Sequence, residues 1–88
     1  MMDRATWVKI FQKRFSVIQN SPEALPGETT YHMPDRQVVI VIKAPNPAGS
    51  MRAESLTDTE ECLIVNRGQG KRSFVDWAQI DAIAVAEL

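Results

Sequence analysis

The stretch Phe74-Val75-Asp76-Trp77-Ala78-Gln79-Ile80-Asp81-Ala82-Ile83-Ala84-Val85 decides the fold. Two short apolar runs are joined there by Asp76-Trp77-Ala78-Gln79, too long for a two-residue hairpin turn and free of Gly and Pro. Such a join suits a strand that stops, makes one tight helical turn and restarts in a new direction. A sheet bent in this way can curl round and close.

Working outward, Cys62-Leu63-Ile64-Val65 reads as a strand, and Asn66-Arg67-Gly68-Gln69-Gly70-Lys71-Arg72 carries the two glycines of a hairpin turn. Arg72 to Trp77 then forms the next strand and Ile80 to Ala86 the closing one. Earlier, Gln37-Val38-Val39-Ile40-Val41-Ile42-Lys43 is apolar on both faces, as a strand covered on both sides would be. The N-terminal helix or a neighbouring subunit would supply the second cover. Residues 44–49, with two prolines and one glycine, read as a turn with few backbone donors for a phosphate. Ser50 to Leu56 alternates imperfectly, as a solvent-facing or strongly bent strand does, and Thr57-Asp58-Thr59-Glu60 reads as a solvated acidic turn. Glu54, Asp58, Glu60 and Glu61 lie close together but lack the glycine and alternating oxygen ligands of a calcium loop.

The amino-terminal third has a different period. Asp3 can cap a helix running to about residue 19, with Met2 and Trp7 as the two ends of a hydrophobic staple. Trp7, Phe11, Phe15 and Ile18 share one helical face, and Lys9, Gln12 and Lys13 lie on the other. A membrane-surface helix is one reading of that basic face; a helix docked across an open end of the β structure is the favoured one. Asn20 to Gly27 is a loop, and Glu28 to Met33 a brief edge strand.

The chain has 88 residues, one cysteine and one histidine. That is one small domain, in which folding hides only about 60–65% of the unfolded surface. Cys62 has no partner for an internal disulfide, and Cys62 with His32 does not make a structural zinc site. No acid–base pair or activated nucleophile can be nominated, so we expect neither an enzyme nor a bound cofactor. Oligomerisation is the remaining source of buried area. The lone thiol, the mixed charge after Met1 and the absence of a long apolar run predict a cytoplasmic protein without a membrane partner.

Net charge is −1. Residues 1–20 hold Arg4, Lys9, Lys13 and Arg14 against Asp3, whereas the remainder is acidic on balance. That distribution weighs against a dedicated, strongly binding nucleic-acid protein. Arg67, Lys71 and Arg72 are the one basic cluster of the β region, and Trp77 lies in the segment that follows.

Helix, then five strands with a short helical turn before the last, resembles the Sm-like family, which includes the Lsm proteins and the bacterial RNA chaperone Hfq. The resemblance spans about residues 3–86. Asp58 matches the Asp that ends the family's bent second strand, and Cys62 stands where the third strand often carries Asn. Val75-Asp76-Trp77-Ala78-Gln79-Ile80 matches the register of the segment after the fourth strand. The resemblance implies a single domain over 1–88. It would be mainly β, a strongly bent five-stranded antiparallel Sm-like or SH3-like barrel over 37–88. A helix over 3–19 and a linker over 20–36 would precede it. It also implies a homo-oligomeric ring, closed by pairing of the fourth strand with a neighbour's fifth.

The family's uridine pocket uses the two positions after the fourth strand. Asp76 stands there in place of a basic residue and repels phosphate. Trp77 there can stack on a base or, as the alternative, fill a subunit interface or cap the barrel. Two functions stay open. One is a structural or interaction module of phage or mobile-element origin that assembles with protein partners. The other is a weak single-stranded RNA binder using Arg67, Lys71, Arg72 and Trp77.

Overall fold

The computed structural model describes residues 3–22, 24–43 and 49–87. The fold is mainly β, with one N-terminal helix and two antiparallel sheets. Helix α1 spans Arg4–Arg14, and eight strands follow: β1 (Ser16–Ile18), β2 (Thr29–His32), β3 (Arg36–Ile42), β4 (Gly49–Ala53), β5 (Ser55–Asp58), β6 (Leu63–Gly68), β7 (Lys71–Val75) and β8 (Ile80–Glu87). The 3₁₀ turn η1 (Trp77–Gln79) sits between β7 and β8, at the join from which the fold was read. One sheet runs β1-β2-β5-β6-β7 and the other β4-β3-β8. The two sheets are not closed into a barrel.

Several sequence expectations are corrected. The helix stops at Arg14 rather than near residue 19, because Phe15 is extended (φ −107°, ψ 159°). Ser16-Val17-Ile18 then pairs with β2, where β-branched side chains are favoured over a last helical turn. The segment 20–36 is not a plain linker: it contains β2, which lies inside the sheet between β1 and β5 rather than at its edge. Thr57 and Asp58 belong to β5 and are buried, so the acidic turn shrinks to the exposed pair Glu60 and Glu61. Met2 and residues 44–48 of the expected turn lie outside the described residues, and Gly49 opens β4.

The imperfect alternation of 50–56 has a physical cause. Met51 and Ala53 pack against the core from β4, and Leu56 is buried in it from β5. An unbroken strand would send position 56 to the face opposite 51 and 53. Glu54 absorbs the change of phase: its N–H donates to the Asn66 carbonyl (2.8 Å) while the chain passes from one sheet to the other. A second phase change occurs in β8, where Ile42 pairs with Ile80 and Val41 with Ala82. The bulge leaves Asp81 unmatched and lets Ile80 and Ile83 both reach the core.

Both sheets and the helix share one core. Trp7 and Phe11 enter it from α1, Val38 and Ile40 from β3, and Leu56, Leu63 and Val65 from β5 and β6. The Phe11 ring lies 5.5 Å from that of Tyr31 and 6.3 Å from that of Trp77, so α1 is fastened to β2 and η1 together. Phe15 meets Phe11 edge-on at 5.3 Å. This is the docked-helix arrangement, with the apolar face of α1 turned inward. Asp3 caps the helix by accepting from the Thr6 N–H (3.0 Å) and hydroxyl (2.9 Å). Those two donors hold its carboxyl below the usual range. Across β2, β5 and β6, Thr30, Thr57, Ser55 and Asn66 form a buried polar ladder in place of apolar contacts.

Candidate interaction site

The basic hairpin is built as the glycines suggested. Gln69 and Gly70 have φ of 55° and 76°, the paired left-handed geometry of a two-residue turn matched to strand twist. Arg67 is the extra residue of a bulge between the pairs Asn66–Arg72 and Gly68–Lys71. Arg67, Lys71 and Arg72 are all exposed, and none forms an ion pair among the described residues.

Trp77 is elsewhere. It is 7% exposed, packed on Phe11, and its Nε1–H donates to the Thr59 carbonyl (3.1 Å). The hairpin and Trp77 therefore do not converge on one surface, and within this fold neither face of the indole is open to a base. Trp77 belongs to the buried core of the chain.

The same carbonyl accepts a second bond, from Arg4 Nε (2.9 Å), and Arg4 also binds Asp58 Oδ1 through Nε (2.9 Å) and a terminal nitrogen (2.8 Å). Thr59 closes its own turn by accepting the Cys62 N–H at Oγ1 (3.0 Å). Asp58, Thr59 and Trp77 are thus tied to one another and to the helix N-terminus. Asp76 is exposed and caps η1 by accepting the Ala78 N–H (2.9 Å). Cys62 is half-buried, with its sulfur 3.6 Å from Thr59 Oγ1.

Two open clefts flank Arg67. The first, about 530 Å³, runs along β4 and β7 and includes Phe74, Asp76 and Gln79. The second, about 420 Å³, lies at the Glu54 bend and brings together Arg36, Arg52 and Arg67 with His32 and Glu54. No spacing along the chain groups these residues, because Arg36, Arg52 and Arg67 come from three different strands. Half-buried His32 sits on β2 at its rim rather than among metal ligands. Among the described residues no group of three His, Cys, Asp or Glu side chains is placed to hold a metal ion. No described helix is long and apolar enough to cross a membrane.

The strand edges are the other exposed feature. β7 and β8 each pair on one side only. Phe74 on β7 is 69% exposed and Val85 on β8 is 41% exposed, an unusual setting for large apolar side chains. Comparison with known proteins adds nothing to this geometry: no family model, curated protein or solved structure matches the chain.

Proposed function

We propose that this chain is a non-enzymatic, ring-forming interaction module with an Sm-like arrangement. On this reading β4 and β5 are one strand bent at Glu54, so that β3, β4–β5, β6, β7 and β8 are the five strands of a bent barrel. Support comes from the order β8-β3-β4 in one sheet and β5-β6-β7 in the other, joined through Glu54 and followed by η1 before the last strand. The observation that carries the proposal is that β7 and β8, two of the four edge strands, bear exposed Phe74 and Val85. A β7 edge laid against the β8 edge of a neighbour satisfies both rows of backbone groups. The contact is head-to-tail, and repeating it gives a ring when the rotation between neighbours closes.

Sedimentation velocity and light scattering on wild type and Phe74→Lys test this. Wild type should run as one closed oligomer, and Phe74→Lys as a folded species of lower mass, because the exposed side chain supports the interface and not the core. A wild-type monomer at micromolar concentration would overturn the proposal. A second reading, weak binding of single-stranded RNA, is favoured only by the exposed Arg67, Lys71 and Arg72. It predicts oligo(U) binding that weakens steeply with salt and is lost on replacing those three with Gln.

A further inference from the structure

We infer that the cleft at the Glu54 bend is a phosphate-binding site that takes a nucleotide. The inference does not depend on ring formation. Arg36 opens β3, Arg52 lies on β4 opposite Val39, and Arg67 is the bulged residue of β6, yet all three line one cleft of about 420 Å³. A single carboxylate, Glu54, lines it with them. Arg36 is only loosely engaged, 3.7 Å from the exposed Glu87 carboxylate and donating to the Asp35 carbonyl (3.1 Å). Arg52 and Arg67 form no ion pair among the described residues.

Three arginines lining one concavity leave an excess of positive charge there, even after Glu54 in the lining and Glu87 beside Arg36 are counted. An anion entering the cleft offsets that excess, and the planar fork of Arg matches phosphate oxygens two at a time. Val38 and Ala53 add apolar surface beside the cations. A site of this size and mixed lining suits a phosphate with an apolar or planar body attached better than a bare ion. A nucleoside phosphate has that chemistry, either free or as part of a single strand.

Calorimetric titration at low salt with uridine 5′-monophosphate, uridine, inorganic phosphate, and hexameric oligo(U) with and without a 5′-phosphate tests the site. The monophosphate should bind saturably and tighter than inorganic phosphate, while uridine should not bind. Oligo(U) binding more tightly than the monophosphate identifies a strand as the natural source, and the reverse a free nucleotide; both support the site. Arg36→Gln, Arg52→Gln and Arg67→Gln should each weaken binding about tenfold, the loss expected for one charge-assisted contact. Glu54→Gln should tighten it, a change that unfolding cannot mimic. Lys13→Gln, exposed on α1 and outside the cleft, should leave it unchanged. The inference is overturned if the monophosphate fails to bind at millimolar concentration, if uridine binds equally well, or if Glu54→Gln fails to tighten binding. It is likewise overturned if Lys13→Gln weakens binding as much as Arg52→Gln. None of these readouts depends on the mass of the assembly, so this site and the ring reading fail separately.

Discussion

Gly68 sits at φ +83°, and a Cβ built on it would lie 2.6 Å from Glu54 Oε1. The backbone strains any side chain there, whereas the exposed Glu54 carboxylate can swing aside, so Gly68→Ala should cost about 1–2 kcal/mol in denaturant titration, chiefly through φ. Adding Glu54→Ala should recover little of that loss, because the backbone component persists. Next to it, Gln69 holds a left-handed conformation for which Asn is better suited. Gln69→Asn should therefore raise stability by about 0.5 kcal/mol, with an Asn-Gly turn in place of Gln-Gly. Asp3 gives a pH signature. Its carboxyl is held low chiefly by the Thr6 N–H, then by the Thr6 hydroxyl. A depressed folded pKa contributes stability above the unfolded value, and that contribution disappears as pH falls through the folded one. The melting-temperature gap between wild type and Asp3→Ala should be full at neutral pH and shrink under acid conditions. A gap that is constant with pH would show that the cap does not act through its charge.

At the scale of elements, the helix, the 3₁₀ turn and the β5–β6 turn form one clamp through Phe11, Trp77, Arg4 and Thr59. Trp77→Ala should destabilise the fold by about 3–5 kcal/mol, the usual cost of a large-to-small change in a core. Retained stability in that variant, paired with lost RNA binding, would instead restore Trp77 as a ligand-facing residue. The existence of this clamp was half legible. Helical spacing of Trp7, Phe11 and Phe15 and the break at Asp76–Gln79 are local patterns, and both elements appear where those patterns lie. The early end of α1 was not legible, because Ile18 continues the helical spacing while its pairing with Thr30 is a long-range contact. The burial of Asp58 was hidden for the same reason: its partner Arg4 lies at the far end of the chain. Likewise the site at the bend depends on Arg36, Arg52 and Arg67 meeting across strands, which no spacing along the sequence encodes. The hairpin was fully legible, since its geometry is dictated by the residues of the turn itself.

For the whole molecule, the decisive quantity is the apolar surface left outside one core. Val39 and Val41 on the outer face of β3 are only half-buried, and Ala82 and Ala84 beside them on β8 are exposed. Together with Phe74 and Val85, they add apolar area near the unpaired edges. A chain of this length has little stability to spare, so removing that area from water in an assembly should add visibly to it. Mass action then fixes the form of the effect: a fold stabilised by its neighbours melts at a temperature that rises with protein concentration. Wild type should show this rise over a hundredfold concentration range. Phe74→Lys should show none, and its melting temperature should match wild type at the dilute end, where both are monomeric. A lower value for Phe74→Lys even at the dilute end would mean that Phe74 supports the monomer's own fold. A wild-type melting temperature independent of concentration, in a protein that sediments as a monomer, would leave the apolar edges without a partner of the same chain.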